Sequence, residues 1–398
     1  MSNSEIHEPA GRIENLRQKF LKLYGRHPEG IWRAPGRVNL IGEHTDYNLG
    51  YVLPFAIDKN ALVAIRRKAQ FEHSANELNL ASTYGADEDP KVTSVPLDGL
   101  TPQSVSGWAA YPTAVVWALN QLDDVEISGF ELLVDSDVPV GSGLSSSHAL
   151  EVSTIVALKD LYDLGLSHTQ MAQLTQRAEN EFVGAPTGIM DQSASLMSRA
   201  ENALFLDCRS MESRAVPLPL AQNDAVVLVI DTRVEHSHVD GGYAARRRSC
   251  EQAAEILRVP SLRDVGTVDE LQVIEDELVR RRAKHIVTEN QRVLDTVQAL
   301  EAGDLQAVGK LLYQSHVSMR DDYEISCEEL DTAVEASLAA GAIGARMTGG
   351  GFGGSSIALI HREQIEAVSQ AVLEAFAQAG FKAPNIFTVV ADQGAGRA

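Results

Sequence analysis

Two α+β domains enclosing a cleft are what this chain predicts. Three observations lead there: its length, the alternation of strand-like and helix-like segments in both halves, and polar clusters set at the ends of apolar strands. At 398 residues the chain exceeds what one hydrophobic core usually holds. Strands and helices alternate without an internal repeat or a low-complexity stretch, which favours mixed layers over a solenoid.

Ile13, Leu16, Phe20 and Leu23 recur at helical spacing and predict an amphipathic helix over 12–24. Residues 31–68 alternate as strands, whereas 86–106, rich in Asp, Pro, Ser and Gly, reads as loop. A helix is expected over 108–122 and a strand over 130–134. The latter leads through Asp135-Ser-Asp-Val-Pro139 and a Gly/Ser run into a long apolar helix, about 147–164. Ser167 with Gln170 forms a candidate capping box for a helix reaching Phe182 and closed by Gly184. Strands return at 203–206 and 225–231, helices dominate 244–340, and a strand, glycine turn and strand occupy 344–360. The boundary falls near 205–225, giving expected domains 1–208 and 209–398.

Composition is that of a globular protein, 44% hydrophobic and 22% charged. The formal charge of -21 opposes diffuse binding to nucleic acid or anionic membrane, so a polyphosphate ligand would have to be held locally. Cys208, Cys250 and Cys327 lie far apart and make neither a CxxC pair nor an even disulfide framework, which points to a reducing cytoplasm. The polar start at 1–11 lacks the apolar core of a signal peptide, and no run approaches 18 apolar residues, so no membrane association is expected.

The most informative stretch is Gly36-Arg-Val-Asn-Leu-Ile-Gly-Glu-His-Thr-Asp-Tyr-Asn48. Val38 and Leu40 alternate with Arg37 and Asn39, so the strand sends its polar side chains away from its aliphatics. Glu43, His44 and Asp46 then put two carboxylates and an imidazole on one turn, a lining suited to a ligand with many hydroxyls. Gly141, Ser142, Gly143, Leu144, Ser145, Ser146 and Ser147 follow a strand and open a helix, the setting of an anion site. No Lys-Ser or Lys-Thr closes the run, which excludes a Walker A loop. Taken alone the run is equally a flexible helix cap, and Asp191, after Gly188, is equally a first-turn charge favoured by the helix dipole.

The signature over 36–48 resembles that of galactokinases, sugar kinases of the GHMP superfamily. Leu204–Ser210, His285–Asn290, Ser315–Ser326 and Arg346–Gly354 resemble galactokinase segments in the same order. The resemblance implies an amino-terminal domain like ribosomal protein S5 domain 2 and a ferredoxin-like carboxy-terminal domain. It also implies transfer of the γ-phosphoryl group of MgATP to the anomeric hydroxyl of α-D-galactose by a cytoplasmic monomer.

Carried onto this sequence, Asp191 is the acidic residue beside the reacting hydroxyl and Arg37 its cationic neighbour. Arg37, Glu43, His44, Asp46, Gly188, Asp191 and Tyr243 contact the sugar, 141–147 cradles ATP, and Ser147 and Glu179 hold Mg²⁺. Gly349–Gly354 is expected beside the phosphate loop. Two departures stand out: Gly-Gly-Tyr243 replaces the usual Ser-Glu-Tyr, and His148 replaces alanine after the loop. His148 is expected to point outward, and Arg246, Arg247 and Arg248 to be paired surface arginines. The rivals are a kinase for a related sugar such as N-acetylgalactosamine, and a non-catalytic galactose and ATP sensor. Intact Arg37, Glu179 and Asp191 disfavour the sensor.

Overall fold

A computed structural model describes residues 9–72, 74–85, 90–234 and 239–398. The first layer is a six-stranded sheet in the order β13-β1-β3-β6-β4-β5. Its strands are β1 (Gly30–Asn39), β3 (Pro54–Arg67), β4 (Glu77–Ser82), β5 (Thr93–Pro96), β6 (Phe130–Ser136) and β13 (Gly396–Arg397). Neighbouring strands pair antiparallel except β4 with β6, which run parallel.

Both faces of this sheet are covered. Leu16 and Phe20 of α1 (Pro9–Tyr24) cover one side, packing with Ile31, Leu62 and Leu133. Trp32, Val63, Ile65 and Leu132 face the other side, under α2 (Ala110–Leu119), α3 (Ser146–Leu161), α4 (His168–Arg177) and α5 (Met190–Met197). Expectation and structure differ in two places here. Part of the loop expected over 86–106 pairs as β5, because Val95 is drawn into the core beside Leu78; residues 86–89 lie outside the described residues. The helix expected to run to Phe182 stops at Arg177 and widens into a π-turn, Ala178–Val183. Gly184 and Ala185 both donate backbone hydrogen bonds to the Glu179 carbonyl, closing that turn. Such widened turns are frequent at functional sites.

The second layer is a four-stranded antiparallel sheet in the order β10-β11-β9-β12. It comprises β9 (Ala225–Asp231), β10 (Gly344–Thr348), β11 (Ser355–His361) and β12 (Asn385–Val389). With it pack α6 (Val239–Leu257), α7 (Glu277–Glu301), α8 (Leu305–Asp321), α9 (Glu328–Ala339) and α10 (Ile365–Ala379). A small sheet of β2 (Tyr51–Val52), β7 (Asn202–Asp207) and β8 (Ser213–Pro217) joins the halves.

The expected cut at 208/209 falls in the turn between β7 and β8, and β13 returns the chain's last residues to β1. One core crosses that division: Val38, Leu40 and Phe55 share a cluster with Val229, Val293, Leu312 and Ile357. The end of β1 therefore carries core on one side and the cleft on the other, which leaves its polar side chains buried without being in the core.

Candidate active site

A bulge in β1 organises the site. The pairing of β1 with β3 shifts register between Pro35 and Arg37, and three elements meet there. Ser195 of α5 donates to the Pro35 carbonyl at 2.7 Å, and the Arg37 amide donates to Leu144 O at 3.1 Å. Gly36 permits that approach, since a Cβ there would lie 2.7 Å from Leu144 O. The helix bearing Asp191 and the glycine-serine loop are thus pinned to either side of Arg37.

The Arg37 guanidinium meets Asp191 as a bidentate pair, Nε to Oδ1 at 2.7 Å and Nη2 to Oδ2 at 2.8 Å. Its Nη1 donates to Gly143 O at 2.5 Å, and Ser145 Oγ donates to Asp191 Oδ2 at 2.7 Å. Burial would raise the Asp191 pKa, but Arg37, His148 and Ser145 override it and hold the carboxyl at about 2. Asp191 is therefore ionised at any working pH, and as a proton acceptor it is weak.

Across a cavity of about 180 Å³ lie the residues of the signature turn. Glu43 is saturated by its own protein: Asn39 Nδ2 donates to Oε2 at 2.7 Å and Gly349 N to Oε1 at 2.7 Å. The fully buried Arg346 stands 3.4 Å behind it. Asp46 accepts from the Tyr47 amide at 2.9 Å and the Met190 amide at 3.3 Å. Burial, then the charge of Asp191, push its pKa up. A Cβ on Gly188 would sit 1.6 Å from Asp46 Oδ2, so only glycine lets this strand of backbone pass. Tyr243 of α6 packs over His44 with ring centres 5.0 Å apart. All seven expected sugar-contact residues line this one cavity, together with 185–187, Met190, Gly349 and Gly350.

The 141–147 run wraps the start of α3, with Gly141, Gly143 and Ser145 at positive φ. Its hydroxyls are largely committed: Ser142 Oγ donates to Pro139 O and Ser145 Oγ to Asp191. The Leu144 side chain is buried in the shared core, so that residue offers only backbone to a ligand. Ser355 Oγ donates to Ser142 O at 2.7 Å, which sets the 349–354 glycine turn against the loop.

His148 does not point outward. It is 6% exposed, its Nε2 lies 2.8 Å from Glu179 Oε2, and its Nδ1 lies 3.5 Å from Asp191 Oδ2 and 3.3 Å from Ser147 Oγ. The cause is in α3 itself, whose residues 148–158 are all buried, so its first turns have no solvent side. Glu179 Oε2 also accepts from Thr187 Oγ1 at 2.6 Å and Gln192 Nε2 at 3.3 Å. Burial opposes charge on His148, but Glu179 and Asp191 outweigh it and raise its pKa. A raised value means the contact stabilises fully below about pH 6.5 and fades as pH climbs through the folded-state pKa. The drop in Tm caused by His148→Ala should accordingly be largest near pH 6 and shrink by pH 9. Equal drops at both would exclude a charged contact.

Sequence reasoning passed over several contributors. Glu151, one turn along α3 from His148, is fully buried with neither carboxyl oxygen hydrogen-bonded among the described residues, and burial with nearby Glu179 pushes its pKa up. Arg346 and Tyr323 lie in segments that carried the family resemblance, a signal that marks them without assigning a role. Arg247 does pair at the surface, with Glu251 at 3.1 Å. Arg246 does not: it donates to the Tyr323 and Glu324 carbonyls and lies over Phe352, because the packing of α6 turns it inward. No group of three or more His, Cys, Asp or Glu among the described residues is arranged to hold a metal ion.

This fold, with a glycine-serine loop opening a helix beside an Arg–Asp pair, is that of a small-molecule kinase of the GHMP class. Family descriptions match accordingly: the GHMP kinase N-terminal domain over 110–199 and the C-terminal domain over 296–378. The galactokinase galactose-binding signature matches over 18–67. A galactokinase of Streptomyces coelicolor is 48% identical, over 96% of this chain and 97% of its own. The structure of Lactococcus lactis galactokinase complexed with galactose superposes with a TM-score of 0.89 at 32% identity, covering 97% of this chain and 100% of that one. Mevalonate kinase of Methanococcus jannaschii shares the fold at a TM-score of 0.65 and 19% identity, over 91% of this chain and 98% of that one. The chain belongs to the galactokinase family.

Proposed function

We infer that this protein is an ATP-dependent galactokinase, transferring the γ-phosphoryl group of ATP to the anomeric hydroxyl of α-D-galactose to give galactose 1-phosphate and ADP. One observation carries the reading: the Arg37–Asp191 pair forms the wall shared by the carboxylate-bearing cavity and the glycine-serine loop. A sugar held by Asp46, His44 and Tyr243 has its reacting oxygen brought to Asp191, which accepts and orients the hydroxyl. Arg37, fixed by Asp191 and Gly143 O, stabilises charge on the transferred group. Positioning and electrostatics supply most of the rate in such a transfer. With a pKa of about 2, Asp191 acts mainly by orientation and charge rather than by strong base catalysis.

Ser147 and Glu179 fit Mg²⁺ by donor chemistry, one hydroxyl and one carboxylate, for an ion that takes few protein ligands. Three neighbours hold Glu179 Oε2, while Oε1 accepts none of these contacts, and the His148 ring lies between Ser147 and Glu179. Bound there with ATP, Mg²⁺ would neutralise phosphate charge. Unpaired cysteines support a reducing, cytoplasmic setting. No helix among the described residues is long and apolar enough to cross a membrane.

ADP release measured with galactose, N-acetylgalactosamine, glucose and mevalonate in the presence of ATP and Mg²⁺ tests the reading. Galactose should be preferred. Absence of any sugar-dependent release would instead support the sensor. Gly188→Ala tests the cavity, because the added methyl must displace the Asp46 carboxylate. Overpacking of this kind costs about 1–3 kcal/mol, and the galactose KM should rise roughly ten- to a hundredfold while the ATP KM changes little. An unchanged galactose KM would remove Asp46 from the sugar site.

A further inference from the structure

Behind the sugar cavity runs a chain of buried hydrogen-bonding groups whose polarity one contact determines. His44 Nε2 lies 3.2 Å from the Gly350 carbonyl, and Nδ1 lies 2.7 Å from Tyr47 Oη. Tyr47 Oη is 2.7 Å from Tyr323 Oη, which is 3.2 Å from Cys250 Sγ. Tyr323 is 0% and Cys250 2% exposed, so these groups are committed to one another rather than to water.

A carbonyl oxygen only accepts, so Nε2 carries a proton. Burial, with cationic neighbours including Arg246 and Arg346, keeps the His44 ring neutral, with its pKa down at about 3. The neutral ring then has a bare Nδ1, to which Tyr47 must donate. With its proton spent, Tyr47 accepts from Tyr323, and Tyr323 accepts from the Cys250 thiol. Every step follows from the one before it.

We infer that the Gly350 carbonyl sets His44 in the Nε2–H tautomer and that Tyr47, Tyr323 and Cys250 form a positioning relay that satisfies the bare Nδ1 and holds the ring in place, so that the cavity presents a hydrogen-bond donor there and recognises a ligand oxygen as an acceptor. Position supports this. His44 holds a left-handed backbone conformation, φ 63°, uncommon for a side-chain-bearing residue, and the Asn48 side chain donates to its carbonyl at 2.9 Å. Tyr243 packs against both His44 and Tyr47, with ring centres 5.0 and 5.4 Å away, so a shift in the relay reaches the sugar wall directly. Gly350 lines the same cavity, so its carbonyl and a bound hydroxyl share one proton.

The inference rests on His44 contacting the sugar, and its test separates the two ideas. In ¹⁵N-histidine-labelled protein at pH 7 without ligand, NMR should show His44 neutral and protonated at Nε2. A proton on Nδ1, or a charged ring, overturns the relay whatever the enzyme's substrate. Tyr47→Phe leaves Nδ1 without its donor. It should free the ring to move and raise the galactose KM about tenfold, with the ATP KM within about twofold, the loss of one buried hydrogen bond. A folded Tyr47→Phe enzyme with an unchanged galactose KM overturns the proposal. Should Tyr47→Phe not fold, Tyr323→Phe must show the same split between the two KM values at about threefold, and equal shifts in both KM values would reduce Tyr323 to a packing role.

Discussion

Asp191→Asn should lower kcat about 10²- to 10³-fold, the loss expected when a preorganised charge is removed, with the galactose KM changing much less. The substitution keeps shape but removes charge, and the new amide can face Arg37 with only one acceptor. One of the two bonds at 2.7 and 2.8 Å is then replaced by an opposed pair of donors, and the Ser145 hydroxyl loses its charged acceptor. Because the wild-type carboxyl titrates near pH 2, the wild-type rate should show no acid limb from Asp191 anywhere between about pH 5 and 9. Sign matters here: a depressed pKa leaves the ionised, Arg-paired form intact above the ordinary carboxylate range and loses it only as pH falls towards 2. Retention of more than about a tenth of kcat in the Asn variant would refute the role given to Asp191.

Arg37→Met should be at least as damaging, and through two routes. The substitution strands a buried carboxylate, and breaking such a pair typically costs about 3–5 kcal/mol of stability. It also removes the cation beside the transferred phosphoryl group, for which about 10² to 10³ in kcat is the usual loss. Without Arg37 the pKa of Asp191 rises, so the residual activity should gain an acid limb that the wild type lacks. A lowered Tm with an unaltered pH profile would leave Arg37 as a structural ion pair only. Arg37→Lys should recover little, since an ammonium cannot reproduce the bidentate fork. The double variant Arg37→Met/Asp191→Asn should lose scarcely more than the worse single variant, because the two side chains form one unit.

Much of this arrangement is legible in the sequence. The alternation through Arg37, Val38, Asn39 and Leu40 locates a strand end with polar groups to spare, and the run from Gly141 to Ser147 marks a helix start. The capping box of Ser167 and Gln170 is present in the structure with both reciprocal bonds. These features are local: each rests on periodicity or on contacts within four residues, where side-chain type and spacing settle geometry.

His148 illustrates the opposite case. Its position in the first turn of α3 was readable, but its direction depended on Glu179 and Asp191, which approach from a π-turn and a separate helix. A cue was present in the scarcity of charge over 148–158 of that helix, where Glu151 is the one acidic residue and no Lys or Arg occurs. Arg246 turned inward for a similar reason, because its partners are carbonyls near residue 323 that no local pattern announces. The tautomer of His44 lies further still from the sequence, since it follows from a carbonyl some three hundred positions away.

By itself the chain determined its family and its mixed layers, and it nominated the groups of a candidate site: one arginine, four carboxylates, an imidazole, a tyrosine and a loop of small residues. The spacing of apolar residues and the chemistry of particular side chains are properties a linear string carries. Tertiary structure alone decided which of these groups share a proton or a charge. Those couplings act over a few ångströms, and only the packing of the β1 bulge against α5, the phosphate loop and the second sheet brings distant positions that close.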